Sequence, residues 1–166
     1  MKKSFGFTLI EVLIVMVIIS IVASVAVITL HTNQRKTYET LANELVNAIL
    51  LAEEEAMLRP AVVGLGFTSN TFQFFTVQRD AKTNQNKWMP IQKPALKAHP
   101  LPANTQIILK IHGETVAING QPQLIITPSN DLTPFVILIG KHDENPYYQV
   151  IGKANGEVVS EAIKAE

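Results

Sequence analysis

The chain has 166 residues, and its 14 Lys and Arg balance 14 Asp and Glu, so it carries no formal net charge and no long-range attraction for nucleic acid. Cysteine is absent, which excludes a disulfide framework and a thiol nucleophile. Once a membrane-length helix is set aside, room remains for one soluble domain of ordinary size.

The chain opens on a short basic leader, Met1 to Gly6, and from Phe7 to Leu30 it runs almost without interruption through Leu, Ile, Val, Met and Ala. About twenty-four residues at 1.5 Å each give a helix of roughly 36 Å, enough to cross a bilayer. Lys2 and Lys3 precede the span, and the positive-inside rule keeps them cytoplasmic with the remainder outside. An ordinary secretory signal is cut after its apolar run, whereas the small residue available here, Gly6, lies before it. Cutting there leaves the hydrophobic segment on the mature protein. Glu11 is the one acid within that segment. Left charged at the centre of a lone membrane helix it would cost about 2.5–3.5 kcal/mol, so it calls for a partner. The plainer alternative is an anchor whose Glu11 snorkels to the interface.

The junction from Lys2 through Gly6-Phe7-Thr8-Leu9-Ile10-Glu11 resembles the type III leader junction of type IV pilins and of the pseudopilins of type II secretion systems. That resemblance implies a prepilin peptidase that cuts between Gly6 and Phe7 and N-methylates the new terminus at Phe7. It makes Glu11 the fifth residue of the mature chain, where the family keeps its glutamate, with a role in pairing and axial register between packed helices. Contact of Glu11 with the inner-membrane assembly platform is the alternative role. Loss of the leader leaves 12 basic side chains against 14 acidic ones.

After Leu30 the sequence turns polar, yet nothing there stops a helix. Tyr38, Leu41, Leu45, Ile49, Ala52 and Ala56 recur at spacings of 3 and 4 and mark one face of an amphipathic helix. Glu39, Glu44, Glu53 and Glu54 are expected on the opposite, solvated face, and Arg59-Pro60 ends the helix. The rest reads as short strands over 61–67, 71–77, 105–111, 114–118, 123–127, 135–140, 147–152 and 157–159. Turns are expected at Ser69-Asn70, His112-Gly113, Asn119-Gly120 and Asn155-Gly156. The polar excursion 79–87 and the stretch holding Pro90, Pro94, Pro100 and Pro102 are expected to be surface loops. The expected organisation is a leader over 1–6, a transmembrane and filament-core helix over 7–30, an amphipathic helix over 31–59 and a periplasmic β domain over 60–166. The fold class is α+β: a long N-terminal helix whose second half packs on antiparallel sheet.

Several stretches of the soluble part are similar to the H-type minor pseudopilins. These are 51–59 with the following 61–65, the segment Pro128 to Phe135, and Ala154 to Val158. Glu53 and Asn130 depart from that group, which commonly has arginine and glycine there. The resemblance implies a minor subunit of a periplasmic pseudopilus, linking the tip complex to the major-subunit filament. It implies as partners the other minor pseudopilins, the major pseudopilin, the prepilin peptidase, the assembly platform, and membrane lipid along 7–30. A competing reading of another class is a minor type IV pilin that binds DNA during uptake. That activity calls for exposed basic residues, whereas the last ten residues carry Glu157, Glu161 and Glu166 against the single Lys164.

Enzyme chemistry finds no foothold. His31, His99, His112 and His142 have no metal-motif spacing, and no glycine-rich phosphate loop follows a strand. The His142-Asp143-Glu144-Asn145 run groups oxygen ligands of the kind calcium takes, but a solvated hairpin turn before Pro146 explains it as well. No cofactor, no metal, no catalytic residue and no nucleic-acid partner is expected.

Overall fold

The computed structural model describes residues 8–80, 84–129 and 132–164, and within the helix the side chains of 25–34 are not described. Two compact units divide the chain between Lys36 and Thr37, and one helix, α1 (Leu9–Leu58), supplies helical residues to both.

After Thr8, the described residues of the first unit are all helix. Thr8 caps it: the Glu11 backbone N–H donates to the Thr8 hydroxyl at 3.3 Å and to its carbonyl at 3.1 Å, which satisfies a donor that a helix start otherwise leaves free. Further along, the Ser20 and Ser24 hydroxyls donate to the carbonyls of Met16 and Ser20, each at 2.8 Å. Such back-bonding lets a hydroxyl sit among apolar neighbours without an outside partner.

The second unit begins with the amphipathic half of α1. Tyr38, Leu41, Ala42, Leu45, Ala48, Ile49, Ala52 and Ala56 are all buried, the stripe expected from their spacing. The helix ends at Leu58, one residue before Arg59-Pro60. Ten strands follow among the described residues: β1 (Val63–Phe67), β2 (Thr71–Arg79), β3 (Asn86–Pro90), β4 (His99–Pro100), β5 (Thr105–Ile111), β6 (Glu114–Val116), β7 (Pro122–Ile126), β8 (Phe135–Lys141), β9 (Tyr148–Gly152) and β10 (Val158–Ala162). They form two antiparallel sheets. One has the order β3-β2-β1-β7, with β4 also paired to β2, and the other runs β10-β9-β8-β5-β6. A single apolar cluster takes Leu45 and Ile49 from α1, Leu65, Phe72 and Phe74 from the first sheet, and Leu109, Ile137 and Val150 from the second. The β5–β6 hairpin turns on His112-Gly113, both at positive φ, the geometry of a two-residue primed turn.

Polar contacts hold both flanks of the helix. Glu44 accepts from His99 Nδ1 at 2.7 Å beside the first sheet, while Asn43 accepts from the Ser160 hydroxyl of β10 at 2.6 Å beside the second. Tyr38 meets Tyr147 with ring centroids 5.3 Å apart.

Two expectations are corrected. The stretch from 79 to 102 is not simply surface loop: β2 continues to Arg79, Asn86–Pro90 pairs with it as β3, and His99–Pro100 pairs with Thr71 and Phe72 as β4. Ile91 and Leu96 are part of the core. Proline did not prevent pairing because both strands lie outermost beside β2, where a missing N–H is tolerated. Glu53, expected on the solvated acidic face, is buried at 6% exposure. It stands four residues after Ile49 and three before Ala56, so helix geometry turns it toward the packed side.

Candidate functional site

Gly6 and Phe7, the expected cleavage and methylation positions, lie outside the described residues. Glu11 is in the first helical turn, three residues after its Thr8 cap, where a carboxylate also faces the positive end of the helix dipole. Around it the described apolar side chains lie open: Leu9, Ile10, Leu13, Met16, Val17 and Ile21 are all at least half exposed. Among the described residues no helix is long and apolar enough to cross a membrane. The described side chains of the apolar run stop at Ser24, short of the expected 7–30 span.

The candidate ligand groups of the soluble unit are dispersed. His99 lies flat on Phe72, with centroids 4.7 Å apart and planes 3° apart, and is held by Glu44. His112 and His142 stand beyond opposite ends of β8, since Ile111 pairs with Phe135 and Thr105 with Lys141. The side chain of His31 is not described. In the β8–β9 turn Glu144 accepts from Lys141 at 2.5 Å and from the Tyr147 hydroxyl. Hydrogen bonding to that carboxylate pushes both Lys141 and Tyr147 above their usual ranges. Glu144 therefore closes a hairpin whose Tyr147 reaches the helix. Among the described residues no three His, Asp or Glu side chains come together as a metal site.

In the Pro128 to Phe135 segment, Asn130 and Asp131 lie outside the described residues. Leu132 and Phe135 on their far side are buried in the core. Glu55, at the end of α1, pairs with Lys93 and Arg59, and the Lys93 hydrogen bond holds its carboxyl below the usual range.

Glu53 is the only buried charged or polar side chain among the described residues, and burial raises its pKa. A carboxyl whose folded pKa is raised binds its proton more tightly in the native state. Its neutral form leaves stability intact below the unfolded value near 4.5, and stability is lost as pH rises through the folded pKa. Glu53→Gln should therefore raise Tm at pH 7.5 by roughly 2–5 °C, and the gain should vanish at about pH 4. Thermal melts of parent and variant at both pH values check this. A gain that persists unchanged at pH 4 would show that charge burial is not the cause.

Residues 1–27 match the prokaryotic N-terminal methylation motif, and residues 41–156 match the family described as type II transport protein GspH. The type II secretion system protein H of Pseudomonas aeruginosa is 30% identical over 148 residues, covering 81% of this chain and 82% of the relative. That of Escherichia coli K12 is 25% identical over 145 residues, covering 84% and 82%. Among solved structures, the minor pseudopilin EpsH of the Vibrio cholerae type 2 secretion system superposes with a TM-score of 0.64 at 20% identity, covering 76% of this chain and 96% of EpsH. The solution structure of E. coli GspH gives 0.61 at 18% identity, covering 77% and 89%. The fold is that of these structures, and the chain belongs to the type II transport protein GspH family.

Proposed function

We propose that this protein is a minor pseudopilin, a structural subunit of the periplasmic pseudopilus of a type II secretion system. In this reading the leader 1–6 is removed between Gly6 and Phe7, Phe7 is N-methylated, and the apolar run holds the subunit in the inner membrane until assembly. The N-terminus begins on the cytoplasmic side and the soluble unit lies in the periplasm. Its work is to bind: the other minor pseudopilins toward the tip, the major subunit below, and the prepilin peptidase and assembly platform on the way. No substrate is transformed.

The observation that carries the reading is the set of exposed apolar side chains from Leu9 to Val22, on a chain whose soluble part matches the GspH family. Apolar side chains open on every side of a helix require lipid or other helices around them, and a membrane-anchored subunit that later packs into a filament has each in turn. The serine back-bonds suit both surroundings.

Cleavage tests it directly. Glycine leaves no side chain at the bond to be cut, so Gly6→Leu should leave full-length precursor in the membrane fraction and stop secretion. Mass spectrometry of the purified chain reads the terminus. A mature terminus at Phe7 in Gly6→Leu, or secretion at the parental level from accumulated precursor, would overturn the leader assignment.

A further inference from the structure

Leu50, Glu53 and Met57 are spaced by 3 and 4 residues and so form one stripe along α1. Leu50 and Met57 are 42% and 46% exposed, whereas Glu53 between them is 6% exposed. No hydrogen bond or ion pair reaches the Glu53 carboxylate among the described residues. No side-chain oxygen fully sealed from solvent lacks a partner there. The Glu53 oxygens therefore keep a narrow opening to the surface. Three acids elsewhere in the second unit have a lysine within the chain: Glu55 has Lys93, Glu144 has Lys141 and Glu157 has Lys153. Glu53, the most deeply placed, has none.

We propose that the stripe of Leu50, Glu53 and Met57 is an interface for a neighbouring pilin-like subunit, which seats a lysine or arginine, flanked by apolar side chains, against the Glu53 carboxylate. This rests on the pseudopilus reading, which supplies such neighbours. The missing element is a single positive charge. A metal ion would need further ligands, and no third acidic or histidine group stands near enough to form a site among the described residues. A lysine or arginine stem, by contrast, packs its methylenes along Leu50 and Met57 while its head reaches the acid. The energetics favour association. Desolvation of an ion pair usually offsets much of its attraction, but folding has already stripped most water from Glu53, so docking has mainly the incoming cation left to desolvate. Covering the apolar rim then excludes water and strengthens the pair.

Photocrosslinking of the full-length chain in secreting cells tests this. A benzophenone amino acid is placed at position 50 or 57, and, as a reference within the exposed apolar run, at position 17. Positions 50 and 57 should give a discrete adduct that mass spectrometry identifies as a pilin-like subunit. Glu53→Gln should lower that yield about tenfold or more, since truncating one member of a buried charge pair weakens binding by at least that factor. The same variant should be no less stable than the parent, which separates lost association from lost folding. Charge exchange gives a second arm: Glu53→Lys with an acid in place of the partner's lysine or arginine should restore the adduct. Undiminished adducts in Glu53→Gln overturn the pairing. Adducts at position 17 with none at 50 or 57 overturn the interface and leave the pseudopilus reading standing, and silence at all three positions sinks both.

Discussion

Gly152→Val should lower the stability of the soluble unit by about 3 kcal/mol or more, a fall in Tm of roughly 10 °C. Gly152 lies on β9 opposite Phe135 of β8, and a Cβ there would come within 2.6 Å of Phe135 Cδ1 and Cζ. No side chain fits at that separation, so the ring must leave. Phe135 is 2% exposed and belongs to the core, and its departure opens a void lined by atoms that lose their contacts. Nor can the strand drift outward, because β9 is paired on both sides, to β8 and β10. Thermal melts followed by near-ultraviolet circular dichroism measure the loss. Pairing Gly152→Ala with Phe135→Leu should cost less than the two changes summed, because the smaller residue vacates the contested space. Strict additivity would mean that glycine is required there for some other reason.

Glu11→Ala should leave cleavage after Gly6 intact yet lower incorporation into the pseudopilus and secretion by an order of magnitude or more. The capped start of α1 gives Glu11 one role inside its own chain, as a carboxylate at the positive helix end, and that role is worth only about 0.3–1 kcal/mol. The proposed role between chains would be worth more. With the leader removed as proposed, the new amine of Phe7 and a carboxylate about 4 Å away would attract strongly where water is excluded, and a neighbour arriving in the wrong axial register would leave both charges unpaired. Cysteines placed near position 11 of this chain and of its neighbour report assembly by crosslinking. Parental crosslinking and secretion by Glu11→Ala would reduce Glu11 to a helix-end charge on a membrane anchor.

Much of the fold was legible because its signals are local. The Tyr38 to Ala56 stripe follows from spacings of 3 and 4, and strands such as β5 and β8 stand out as short apolar runs punctuated by turn residues. What escaped was set by partners far along the chain. Asn86–Pro90 looks like loop because Asn86 and Lys87 close a polar excursion and Pro90 opens a proline-rich stretch, yet pairing with β2 makes it a strand, and only the fold shows that it lies outermost. Glu53 escaped for a different reason. Its spacing from Ile49 and Ala56 already put it on the packed stripe, but grouping it with Glu54 and Glu55 by charge put it outside. The Thr8 cap was missed, although threonine three residues before a glutamate at the head of an apolar run is a helix-start signature.

The paired contacts of Asn43 and Glu44 bear on how the helix is aimed. An apolar stripe lying on sheets is permissive about rotation, because sliding it by a few degrees exchanges one set of dispersion contacts for another of similar worth. Hydrogen bonds are not permissive. Neighbouring residues on a helix point about 100° apart, and here one is tied to β10 by Ser160 while the next is tied to β4 by His99. Turning α1 either way stretches one tie as it compresses the other, so the pair works as an angular index that fixes the compass bearing of every outward side chain on that half of the helix. Breaking both, with Asn43→Ala and Glu44→Ala, should therefore blur the azimuth of Leu50 and Met57 more than it lowers Tm, a change that spin-label distances from position 50 to β6 would register as a broadened distribution.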